Sequence, residues 1–260
     1  MRQVIKDQEV GLDPYFRYRG MNQTRIETFS DTAFALAITL LVLSSTVPET
    51  YSQLMSSLRS VVPFGLCIIL VALIWYQHYI FFLRYGLQNT FIVVLNVILL
   101  FLILVYVYPL KFLFRYLFEL SLAGVSGDWG VVQGEFGELT LGSGAMQVLM
   151  VVYGLGATAI FFTLAWMYRY ALKKKIDLDL NDYEVLVTQS SLWINLLQGA
   201  IPALSVLVAA TSLFGKQYSP MIAGFVYWLY PIILPIAGRR FGRQRAQYLE
   251  DSEEDLGKTL

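Results

Sequence analysis

The chain is poor in residues that build redox, metal and hydrolytic sites: it holds one cysteine, Cys67, and one histidine, His78, in 260 residues. One cysteine cannot close an intrachain disulfide, and one Cys with one His falls short of a metal cage. No serine or cysteine nucleophile motif accompanies His78, so neither an enzyme nor a cofactor is expected. Charge is scarce as well: 15% of residues are charged, where soluble domains carry about 25%. The charges cancel, 19 basic against 19 acidic, which leaves no bulk electrostatic footprint for a nucleic-acid partner. The first twenty residues, "MRQVIKDQEVGLDPYFRYRG", contain no apolar segment, so a cleavable signal peptide is not expected.

What is abundant is apolar surface. Hydrophobic residues make up 57% of the chain and the mean hydropathy is +0.57. A helix needs roughly 20 mostly apolar residues to cross about 30 Å of hydrocarbon. Six stretches qualify, near Thr28–Val47, Val61–Phe82, Thr90–Leu117, Ala145–Leu172, Val185–Phe214 and Ser219–Gly238. The expected fold is all-α, a multi-pass protein of the lipid bilayer, with residues 1–260 forming one six-span domain and short tails. Pro109 is placed to kink the long third span, and Pro202, Pro231 and Pro235 to interrupt later ones.

Basic residues set the orientation. Arg2, Lys6, Arg17, Arg19 and Arg25 precede span one, Arg84 follows span two, Arg169 and Lys173–Lys175 follow span four, and Arg239, Arg240, Arg243 and Arg245 follow span six. The 3–4 loop, "SLAGVSGDWGVVQGEFGELTLGSG", has no basic residue. Both termini are therefore expected in the cytoplasm. Lys111, Arg115 and Glu119, four apart, read as an intrahelical charge ladder. The acidic tail "EDSEEDLGKTL" reads as a solvated, disordered end.

Ionisable groups within a span cost about 3 kcal/mol on the lenient insertion scale and face protein or water. Asp31 is one, with no basic neighbour on its own helical face; Arg25, six residues earlier, points elsewhere. Trp75 and His78 share a face of span two, and Asn96 interrupts span three. A polar network of Ser30, Asp31, Trp75, His78 and Asn96 is expected between helices. Whether it only cements packing stays open on the residues alone. Leu36, Leu40 and Leu43 form a stripe along span one, continued by Val47, with Thr39 beside it. Periodicity does not choose between a packing seam and a pore.

The stretch Arg25-x-x-x-Phe29-Ser30-Asp31, followed by "FALAITLLVL", resembles the prokaryotic branch of the endolysosomal transmembrane potassium channel family. The likeness continues through Trp75, His78 and Asn96. It implies a potassium-selective cation channel in a prokaryotic cell membrane, a homotetramer whose first helices line a central pore. Family members lack the TVGYG filter, as does this chain. Carried over, Leu36, Leu40 and Leu43 constrict the pore, Thr39 bears on selectivity, and Arg25, Phe29, Ser30 and Asp31 hold the pore helix against spans two and three. Permeating potassium is then the expected bound metal. Two departures stand out: Leu36 replaces a usual isoleucine, and Ser44 stands where an aspartate is common after the last leucine. The competing reading is a secondary cation transporter with Asp31 and His78 as coupling residues. No arginines recur at regular spacing within a span, so a voltage sensor is not expected.

Overall fold

The computed structural model describes residues 13–43, 48–139 and 144–258. Among these the chain is helical, with α1 Arg25–Leu43, α2 Tyr51–Arg59, α3 Val61–Tyr85, α4 Thr90–Ser126 and α5 Gly130–Phe136 in the first half. The second half holds α6 Gly144–Lys173, α7 Asp182–Thr211, α8 Ser219–Phe225, a 3₁₀ turn Val226–Leu229 and α9 Tyr230–Lys258. Six of these helical stretches are long and apolar enough to cross a membrane. Val47, the end of the first expected span, and Ser44 lie outside the described residues.

Local chemistry explains where the helices start and stop. Thr24 and Glu27 form a reciprocal cap on α1: the Glu27 N–H donates to Thr24 Oγ1 at 3.3 Å, and the Thr24 N–H donates to Glu27 Oε1 at 3.2 Å. α3 ends at Gly86, whose φ of +58° suits the left-handed cap. α4 starts at Asn89, whose Oδ1 accepts from Ile92 N at 3.0 Å. α7 starts three residues before the apolar run, because Asn181 and Glu184 form a second capping box there.

Two sequence expectations change and a third is met only in part. The 3–4 loop is partly helical: α4 continues to Ser126 and α5 follows, with Phe136 buried against Phe112 and Tyr116. The aromatic contact gives that polar segment something to pack on. The sixth span is broken at Val226–Leu229, ahead of Pro231 as expected, whereas α7 and α9 run through Pro202 and Pro235 without interruption. Proline lacks an N–H and crowds the preceding turn, so a tight turn precedes the new helix that it opens. The acidic tail is helical through Lys258 as the end of α9 rather than disordered.

The core runs through α1, α3, α4, α6 and α7, with Phe81, Phe82, Leu99, Leu164 and Met167 fully buried. α6 and α7 pack closely along their length; a Cβ on Gly154 would lie 3.0 Å from the Pro202 carbonyl oxygen, so only a residue without a side chain fits. Residues 13–20 cross one end of this bundle as a strap. The Arg19 and Gly20 N–H groups donate to the Arg84 and Leu83 carbonyls at 3.2 and 2.9 Å. A Cβ on Gly20 would fall 2.0 Å from the Phe82 carbonyl oxygen. The strap leads directly into α1 and fixes where that helix begins.

Candidate functional site

α1 has two unlike faces. Ser30, Ala33, Phe34, Ala37 and Leu41 are buried against α3 and α4. The opposite face carries Phe29, Leu36, Leu40 and Leu43, which are 62%, 49%, 40% and 72% exposed. Thr32 and Thr39 are exposed there too. At 100° per residue a seven-residue step returns within about 20° of its start. Phe29, Leu36 and Leu43 therefore form an apolar column, and Thr32 and Thr39 a hydroxyl column beside it. Sequence reading had singled out Thr39 but missed Thr32, although its seven-residue spacing from Thr39 was the available signal.

The threonines are oriented by the backbone. Thr39 Oγ1–H donates to the Ala35 carbonyl at 2.9 Å, and Thr32 Oγ1–H to the Thr28 carbonyl at 2.9 Å. With its proton committed to the preceding turn, each hydroxyl has only acceptor lone pairs left to offer. A cation, or the oxygen-bound protons of its hydration water, is the complementary partner.

Behind this face the expected five-residue network resolves into two separate sets. The first is buried: Asn96 Nδ2–H donates to Ser30 Oγ at 2.8 Å, and Ser30 Oγ–H donates to the Ile26 carbonyl at 2.8 Å. His78 Nε2 lies 2.8 Å from Asn96 Oδ1. Since the Asn96 amide nitrogen faces Ser30, its oxygen faces His78, and Nε2 must carry the proton that it donates. This chain ties α1, α4 and α3 together. The second set lies nearer the surface, where Trp75 Nε1–H donates to Asp31 Oδ1 at 2.9 Å and Gln23 Nε2–H to Oδ2 at 3.4 Å. Asp31 is thus separate from the His78 hydrogen-bond chain, on a flank of α1 where the Trp75 indole and Gln23 reach it. Among the described residues no cation pairs with Asp31.

Arg25 and Phe29 do not join this packing. Both are exposed, since their azimuth on α1 belongs to the free face. Within the subunit, Ser30 and Asp31 alone of the four motif residues bind α1 to α3 and α4 through side-chain hydrogen bonds. At the other end of α1, Lys111 Nζ–H donates to the Leu41 carbonyl at 3.1 Å. This places a cation on the orphan carbonyls of a helix C-terminus. Arg115 pairs with Glu135 on α5 at 2.6 Å. Lys111 and Arg115, expected in a ladder with Glu119, thus both make contacts to other helices.

Sequence reading also missed the strap's anchor. The Glu184 side chain is fully buried and accepts from Arg19 Nη2 at 2.7 Å, Arg17 Nη2 at 3.2 Å and the Arg17 N–H at 2.8 Å. Hydrogen bonding to the Glu184 and Asp179 carboxylates raises the Arg17 guanidinium above its ordinary pKa. No local pattern signals this cluster, whose members are more than 150 residues apart in the chain.

Residues 25–106, which include α1 and its supports, match the family model of the endosomal/lysosomal potassium channel TMEM175. A potassium channel of Marivirga tractuosa is 48% identical over 254 residues, covering 96% of this chain and all of that protein. The chain belongs to the TMEM175 potassium channel family. It is also similar to the crystal structure of a threonine-to-alanine variant of the potassium channel MtTMEM175, bound to a nanobody–MBP fusion protein. That likeness has a TM-score of 0.80 and 50% identity, over 90% of this chain and 100% of that one. In this TMEM175-family chain no cluster of three or more His, Cys, Asp or Glu side chains suited to a metal ion occurs among the described residues. The free face of α1 offers apolar side chains and hydroxyl acceptors.

Proposed function

We propose that the chain conducts potassium passively through a central pore lined by α1 from each subunit of a homotetramer. The observation that carries this reading is the division of α1: one face locked to α3 and α4, the other left with aligned leucines and proton-committed threonines. Residues 1–260 act as one six-span channel domain in a prokaryotic cell membrane, with both termini cytoplasmic as the basic residues at spans one, four and six direct. Leu36, Leu40 and Leu43 constrict the pore. A leucine ring gives a bare cation no ligand, so it passes ions when wide enough to stay wet and closes by dewetting when narrow.

Thr39 supplies the nearest acceptors to that constriction, and Thr32 supplies a second set on the N-terminal side of Leu36. Partial dehydration favours potassium, whose water is held less tightly than sodium's, and acceptor oxygens replace part of what is lost. Ser30, Asn96 and His78, with Asp31 and Trp75, position the lining helix. Arg25 and Phe29, exposed on the same free face, continue the lining toward the N-terminal end of α1. Membership in a channel family favours this reading over a transporter coupled through Asp31 and His78.

The test is thiol accessibility. In a Cys67→Ala background, Leu36→Cys in planar bilayers should lose potassium current on addition of a water-soluble thiol reagent. Leu41→Cys, on the packed face, should not. Current that survives modification at both positions, or falls equally at both, removes α1 from the pore.

A further inference from the structure

A cavity of about 610 Å³ lies between α7 and α9, away from the free face of α1. The two helices run antiparallel here: the Tyr183 and Tyr248 rings meet with centroids 6.0 Å apart, and Tyr230 Oη–H donates to the Gln198 carbonyl at 2.7 Å. This pairing sets the levels within the cavity. Gln189, Arg240 and Gln244 lie at one end, toward the α6–α7 loop; Trp193, Leu197 and Ile236 lie at the other, one to two turns deeper into the spans. Arg240 is exposed and makes no salt bridge among the described residues.

We infer that this groove holds one anionic glycerophospholipid, its phosphodiester at Arg240 and an acyl chain along Trp193, Leu197 and Ile236. Charge complementarity selects the headgroup. A guanidinium matches the paired oxygens of a phosphate, and the Gln189 and Gln244 amides supply neutral donors beside it. Basic pockets between spanning helices at the cytoplasmic side take anionic headgroups for this reason. The apolar end selects a lipid over a free anion, since a soluble phosphate gains nothing from Trp193 and Ile236. The inference is independent of conduction and goes beyond the channel reading, from which it takes only the cytoplasmic orientation of this end of α7 and α9.

Native mass spectrometry of the intact oligomer, released from nanodiscs of mixed phosphatidylglycerol and phosphatidylcholine, counts the retained lipid. Phosphatidylglycerol should be retained preferentially. Arg240→Gln should lower that preference about fivefold, the worth of one cation at the membrane surface. Arg239→Gln, which does not line the groove, should leave it unchanged. Ile236→Trp should fill the acyl end and reduce retention of phosphatidylglycerol while the oligomer elutes normally. Equal retention of both lipids, an unchanged preference in Arg240→Gln, or displacement of the lipid by inorganic phosphate overturns the proposal. So does efficient crosslinking between subunits through Ile236→Cys in the Cys67→Ala background, which would make the groove an interface between copies.

Discussion

Truncating Leu36 and Leu41 to alanine, one at a time, separates a pore lining from a packing seam, because the two are the same residue on one helix with opposite surroundings. Leu41 is 1% exposed and part of the core that joins α1 to α4. Leu41→Ala should leave a cavity and cost about 2–5 kcal/mol. Leu36 is 49% exposed, so about half its surface makes no contact in the subunit, and truncation encloses no void. Its cost should be about 1 kcal/mol or less. Function should change in the reverse order. Leu36→Ala widens the apolar ring, stays wet more of the time and raises cation flux, with weaker preference for potassium. Detergent or heat titration of the purified oligomer measures stability, and liposome flux under a potassium gradient measures conduction. If Leu36→Ala destabilises the oligomer as much as Leu41→Ala and leaves flux unchanged, Leu36 belongs to a buried seam and the pore assignment fails.

Thr39→Val keeps the volume but removes the acceptor, and should lower potassium preference by up to about fivefold while conduction survives. Reversal potentials read this directly, and Thr32→Val should shift them in the same direction by less. Asn96→Leu deprives the buried His78 donor and the Ser30 hydroxyl of their partner, at a cost of about 1–3 kcal/mol; interhelical bonds in bilayers average about 0.6 kcal/mol and pull toward the low end. Ser30→Ala should then add less than about 0.5 kcal/mol in the Asn96→Leu background, and a fully additive cycle would dissolve the network. Glu184→Gln removes the charge that two strap arginines share. It should cost about 2–3 kcal/mol, below the roughly 3–5 kcal/mol of a fully buried pair, because Arg17 remains 54% exposed. Limited proteolysis near residues 13–20 should accelerate, and unchanged protection would show that the strap holds without Glu184.

Much of this protein is local in the physical sense, and the sequence determined that part. Twenty-residue apolar runs demand helices wherever the surroundings are hydrocarbon, because unpaired backbone groups cannot survive there. The six spans follow from that alone, and Thr24 with Glu27, Asn181 with Glu184, and Gly86 mark helix ends through neighbours three or four residues away. The period of the helix was equally legible, so Leu36, Leu40, Leu43 and Thr39 could be placed on one side of α1 and Asp31 on another. Periodicity gives azimuth but not which azimuth is covered, and this the tertiary structure decided: α3 and α4 pack on Ser30, Ala37 and Leu41, freeing the leucine side. It also split the expected polar network in two, since Asn96 reaches Ser30 while Trp75 reaches Asp31. It turned Lys111 toward the end of α1 and Arg115 toward Glu135 on α5. The Arg17–Arg19–Glu184 anchor and the α7–α9 groove join residues far apart in the chain. No spacing rule reaches that distance, because their meeting depends on how the helices pack.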